Sequence, residues 1–214
     1  MSKRSRGRPR QFEEEDVLDS AANLFLRHGY DDVTVAALAE HLALSKPSLY
    51  GAFGDKHALY LRTVEAYGAK VIALMESAMA ASASLPEAAR SYLERAVDHY
   101  APEGQPPLGC LIVTTMTTAA GHDADIRAWL ERFVDDSDNQ LADILTSHFG
   151  KEVAATGLTA LQLARMLQAT LHSLATRARA GVSRTSLFEM IDTTIFVLES
   201  RILPNLHEGR SRNG

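Results

Sequence analysis

A chain of 214 residues with 46% hydrophobic and 23% charged side chains has the composition of a globular protein large enough to hold one or two domains. It has no run of about 18 apolar residues, which excludes a membrane-spanning helix, and its single cysteine, Cys110, excludes an internal disulfide and fits a reducing cytoplasm. The net charge of −5 argues against an indiscriminate polyanion binder, yet residues 1–12 carry Lys3, Arg4, Arg6, Arg8 and Arg10 and no acid, leaving −10 on the remainder.

No apolar segment follows those cations, so residues 1–12 are not a secretory signal. They read as a flexible basic arm, either solvated or touching nucleic acid. Residues 14–28 place Val17, Leu18, Ala21, Leu24 and Phe25 on one helical face. Glu13 to Asp16 occupy the first turn, where the helix dipole favours acids, and Gly29 is a stop signal. Thr34 caps a short helix over 35–42 and Ser45 a second to about Phe53. Asp55 caps a long helix to about Ala81. Further helices are predicted from Pro86 to about Tyr100 and over 109–119, 123–148, 158–180 and 184–202, with 101–107 a loop. No stretch alternates as a strand does. The fold class is all-α, with about nine helices.

Two short helices joined by Ala43-Leu44 form a helix-turn-helix, in which the second helix enters the DNA major groove. At about 100° per residue, Leu49, Ala52 and Phe53 lie on the inner side of that helix. Lys46, Pro47, Tyr50 and Gly51 lie opposite, with Ser48 at the margin. Lys46 and Lys56 each follow a capping residue, where a cation opposes the dipole by roughly 0.3–1 kcal/mol. The pair makes sense if phosphates sit at both helix starts; two ordinary surface lysines are the alternative.

The segment from about Gly7 to Leu61 resembles the DNA-binding domain of the TetR family of bacterial transcriptional regulators. The resemblance rests on Ala21, Phe25, Gly29-Tyr30, Thr34-Val35, Leu38-Ala39, Ser45-Lys46, Leu49-Tyr50, Phe53, Lys56 and Ala58-Leu59. It implies phosphate clamping by Tyr50 and Lys56, and groove or backbone contacts by Thr34, Ser45, Lys46, Pro47, Ser48 and Gly51. It also implies reach toward neighbouring DNA by Arg8 and Arg10. Ala43 stands where the family usually has a turn glycine, and Gly51-Ala52 replace bulkier polar groups, so few side chains remain to read bases directly.

The resemblance divides the chain into a DNA-binding domain, 13–61, an effector-binding and dimerisation domain, 83–203, and a tail, 204–214, with the long helix at about 55–81 connecting the first two. Met166, Leu167, Leu171 and Leu174 in one late helix, and Leu187, Ile191, Ile195 and Leu198 in the last, make apolar stripes. They serve a four-helix homodimer interface or the intrachain core. Tyr67, His99, Tyr100, Cys110, Thr114, Thr117, Thr118, Trp129 and His172 are candidate linings of a cavity for a small organic effector. Gly109-Cys110-Leu111 is similar to a segment of a TetR subgroup that includes electrophile- and oxidant-sensing repressors. Cys110, at a helix start, is therefore either a thiol sensor with a lowered pKa or a buried core residue.

No metal site is expected, because His99, Cys110, His122, Asp123 and His172 show no ligand-pair spacing. No cofactor and no catalytic constellation is expected either. The reading is a cytoplasmic, homodimeric, effector-responsive DNA-binding regulator, with a helical carrier or interaction protein lacking DNA binding as the rival of another class.

Overall fold

The computed structural model describes residues 14–211, with side chains placed through Ile202. Arg8, Arg10 and the rest of the basic arm lie outside the described residues. Nine α-helices and no strand occur among those described: α1 Glu14–Asp32, α2 Val35–His41, α3 Lys46–Phe53, α4 Lys56–Ala80, α5 Leu85–Tyr100, α6 Thr117–Ala119, α7 Ala124–Ala155, α8 Ala160–Arg179 and α9 Arg184–Ser211. A π-helical turn, Ile112–Met116, runs directly into α6.

Local chemistry sets most boundaries. The caps predicted at Thr34, Ser45 and Asp55 form, each side chain accepting from a backbone N–H of the first turn. Ser84 and Thr159 cap α5 and α8 in the same way. Gly29, with φ of 80°, breaks the helical path of α1 three residues before its end. The first-turn acids of α1 gain cations from α4 as well as the dipole, Arg62 pairing with Glu14 and Lys70 with Glu15 and Asp19.

Three elements differ from the sequence reading. Residues 109–119 form a π-turn and a short helix, along which Thr114, Thr115 and Thr117 donate their hydroxyls to the carbonyls four residues before them. Helix α7 continues through Gly150 after a distortion at Phe149 (φ −128°), and Phe149 and Val153 are both buried beyond the expected stop. Helix α9 runs to Ser211.

Helix α1 lies along α4, and the α2–α3 pair closes on both to form the N-terminal unit. Phe25, Tyr30 and Tyr60 pack ring against ring beneath it, over buried Leu38, Leu49 and Phe53. Helix α5 packs against α4, α8 and α9, and α7 packs along α8.

Leu167, Leu171, Leu174, Leu187, Ile191, Ile195 and Leu198 are all buried inside this bundle. They are intrachain core, and as dimer-interface candidates they are corrected: none is more than 5% exposed, which leaves almost no surface for a second copy. Met166 is half-buried. Among the described side chains of α9, the exposed large apolar ones are Phe196, 70% exposed, and Val197, 48% exposed.

Candidate nucleic-acid interface and effector cavity

Helix α3 begins at a tight cap. Ser45 Oγ accepts from Ser48 N at 3.2 Å and lies 2.8 Å from Ser48 Oγ. Pro47 falls in the first turn, where no intrahelical N–H is needed. Leu49 and Phe53 anchor the helix inward, leaving Lys46, Pro47, Ser48 and Gly51 exposed and Tyr50 48% exposed. Ala52, expected on the inner side, is exposed as well, and its carbonyl accepts from Arg62. No acid sits in the first turn. The outer face is thus a helix start, one ammonium, a phenol and two small or rigid residues, which together suit a phosphate and a groove floor. Thr34, also exposed, has its hydroxyl committed to capping α2.

The two lysines at helix starts have different surroundings. Lys46 is exposed. Lys56 is half-buried, donating to the Tyr30 carbonyl at 3.0 Å with its nitrogen 4.3 Å from the Tyr30 ring centroid. Tyr30 sits among Asp31, Asp55 and Asp123, and burial and then those carboxylates raise its hydroxyl pKa. Lys56 therefore ties the start of α4 to the end of α1, while an ammonium has three protons to share and keeps capacity for a phosphate.

Around this joint the N-terminal unit meets the bundle through polar contacts that sequence spacing did not reveal. His57 lies 3.2 Å from Asp123 and His122 lies 3.0 Å from Asp31. Asp123 also caps α7, accepting from Asp125 N and Ile126 N, and these bonds and His57 hold its carboxyl below the usual range. His57, Asp123 and Asp125 bring one metal-ligand atom each within 4.8 Å of one another, but Asp123 already serves as cap and histidine partner. Arg179, at the end of α8, donates to the carbonyls of Leu26, Arg27 and Leu108. One guanidinium so holds the end of α1 and the loop before the π-turn.

The nine cavity candidates divide. Tyr100, Cys110 and His172 line a small internal cavity of about 40 Å³ with Met75, Gln168 and Leu171. Tyr67 and His99, hydrogen-bonded at 2.9 Å, line a separate open cleft of about 360 Å³ beside α1. Trp129, stacked on Phe133 at 5.0 Å, lines a groove of about 600 Å³ together with residues of α4. Thr117 and Thr118 are exposed, and Thr114 spends its hydroxyl on Cys110 O. The polar threonine wall is corrected accordingly.

Of the two readings of Cys110, its surroundings favour the buried core residue. It precedes the π-turn, is buried, and desolvation pushes its pKa up. Gly109 beside it, at φ 73°, lies so close to α8 that a Cβ would stand 2.7 Å from Ala175 O.

A capped short helix with an exposed cationic start, seated on a three-helix unit that is joined to an all-helical bundle, defines a helix-turn-helix DNA-binding regulator. Residues 17–63 match the family model described as bacterial regulatory proteins, tetR family. That segment is a TetR-family DNA-binding domain, and the chain as a whole is similar to regulators of that family.

Among its relatives, the transcriptional repressor ComR of Escherichia coli is 26% identical over 193 residues, spanning 90% of this chain and 92% of ComR. The E. coli repressor BdcR is 41% identical over 71 residues, 33% of this chain and 36% of BdcR. A cysteine-substituted form of the TetR-family regulator CifR, solved with 26-base-pair operator DNA, shares the fold with a TM-score of 0.72. It is 23% identical over 88% of this chain and 98% of its own. Bacillus subtilis FadR, solved with stearoyl-CoA, has a TM-score of 0.64 at 16% identity over 89% and 98%.

Proposed function

We propose that the protein is a homodimeric repressor that binds a near-palindromic operator and is released by a small organic effector. Residues 13–61 act as the DNA-binding head and 83–203 as the effector and dimer domain. The observation that carries this reading is the acid-free outer face of α3, with Lys46, Ser48 and Tyr50 exposed at a helix start. Tyr50 and Lys56 hold phosphate, while Lys46 and Ser48 face the groove. The repressor role is supported by the two E. coli relatives named as repressors.

Dimerisation places two copies of α3 in successive major grooves about 34–36 Å apart. Among the described residues of α9, Phe196 and Val197 offer apolar surface for it. An effector seated between α4, α5, α7 and α8 shifts the population toward heads spaced wrongly for the operator, by as much as its differential affinity for the two conformers allows. Arg179 and the two histidine–aspartate pairs carry that shift to α1 and α4.

Footprinting on the DNA flanking the protein's own coding region, repeated with candidate effectors, tests the proposal. A protected inverted repeat that is lost on addition of one compound is the expected result. Protection that never depends on sequence would contradict it.

A further inference from the structure

The internal cavity and the α4–α7 groove share a wall made of Ile72, Glu76, Phe133 and Ser137. Glu76 is half-buried on that wall and forms no ion pair or hydrogen bond among the described residues. Burial raises its carboxyl pKa, and no ion pair among the described residues offsets that desolvation. Glu65 and Asp136 add two more acids to the groove against one base, Arg132, and the stacked rings of Trp129 and Phe133 form its apolar side. On the cavity side, the hydroxyl of fully buried Tyr100 has no hydrogen-bond partner. A buried phenol left unpaired is costly, so a polar group brought into the cavity would relieve it.

An acid without a cation, aromatic faces beside it and an acidic rim together form a receptor for positive charge on an apolar body. We propose that the effector is a lipophilic organic cation, its charged nitrogen at Glu76 and its apolar portion against Phe133 and Trp129. This rests on the effector reading above and assigns its chemical class. With an internal space of only about 40 Å³, the ligand enters from the groove and displaces Phe133, which separates α4 from α7. Helix α4 begins at the DNA-binding unit, so the movement is transmitted toward Lys56.

Trp129 is the chain's single tryptophan, so its fluorescence reports occupancy without a label. Titration of the full chain with 4-phenylbutyltrimethylammonium should give a saturable change. The neutral analogue with carbon in place of nitrogen should bind at least about tenfold more weakly, and 5-phenylpentanoate not at all. Glu76→Gln should abolish the preference for the cation and leave the neutral analogue's affinity unchanged, while Glu76→Asp retains part of the preference. Melting curves of both variants confirm that they fold.

Equal binding of cation and neutral analogue, or a preference that survives Glu76→Gln, overturns the proposal and leaves the effector pocket standing. Absence of binding by all three overturns it as well. Release of operator by an uncharged compound would then keep the effector reading, so the two fail separately.

Discussion

Ala43 adopts a φ of 51°, a left-handed conformation that an L-residue with a Cβ disfavours by about 1–2 kcal/mol. Ala43→Gly should raise the melting temperature, with a net gain of about 0.5–1 kcal/mol after glycine's greater unfolded-state entropy is counted. Gly109 is the converse. Its positive φ and the Ala175 carbonyl beside it leave no room for a methyl, and Gly109→Ala should cost about 2–3 kcal/mol, read by denaturant unfolding. Both positions stand out in the sequence, Ala43 as a departure from the family's turn glycine and Gly109 as the first residue of the Gly109-Cys110-Leu111 segment. The carbonyl that makes Gly109 necessary comes from α8, some sixty-five residues away, and no local pattern announces it. Lys46 and Lys56 illustrate the same limit. Their helix-start positions were legible, but the Tyr30 carbonyl that engages Lys56 was not.

At the scale of elements, caps and apolar periodicity were legible because they are local. What periodicity could not decide was the partner of each stripe. Leu187, Ile191, Ile195 and Leu198 repeat as an interface would, but α5 and α7 already cover them. The junction between head and bundle was illegible for a related reason: a carbonyl contact such as Arg179 with Leu26 depends on no side-chain pattern in α1. Arg179→Ala should accelerate amide hydrogen exchange at the end of α1 and weaken the effect of any inducer on operator affinity. Unchanged exchange there would show that α1 is held by its apolar packing alone. Asp123→Ala removes the α7 cap and the partner of His57, and should cost about 1 kcal/mol. The Asp123 carboxyl is depressed in the folded state, so its contribution is full above the unfolded pKa and disappears as pH falls through the folded one. The difference in stability between Asp123→Ala and the parent should therefore narrow in acid.

For the whole molecule, the exposure of Phe196 and Val197 predicts that Phe196→Glu converts a dimer to monomer in light scattering and abolishes operator binding, while the monomer's helix content is unchanged. Acidification probes the interior. Burial lowers the pKa of His99 and His172 from 6.5, so the unfolded chain binds more protons than the folded one below that value. Stability should fall as pH drops from about 6.5 toward the folded values. Glu76 works in the opposite sense, because its raised pKa makes it costly at neutral pH and relieves that cost on protonation. Glu76→Gln should accordingly stabilise the protein at pH 7, and replacing both histidines by glutamine should flatten the melting profile below about pH 6.5.

The central claim is that the start of α3 meets DNA phosphate. The most direct measurement is the salt dependence of binding to an operator-containing duplex, comparing the parent with Lys46→Ala. The parent should show log K falling linearly with log salt at about −0.9 per phosphate neutralised, and the variant's slope should be shallower by about one such unit. Binding with no salt dependence, or identical slopes for the two proteins, would contradict it.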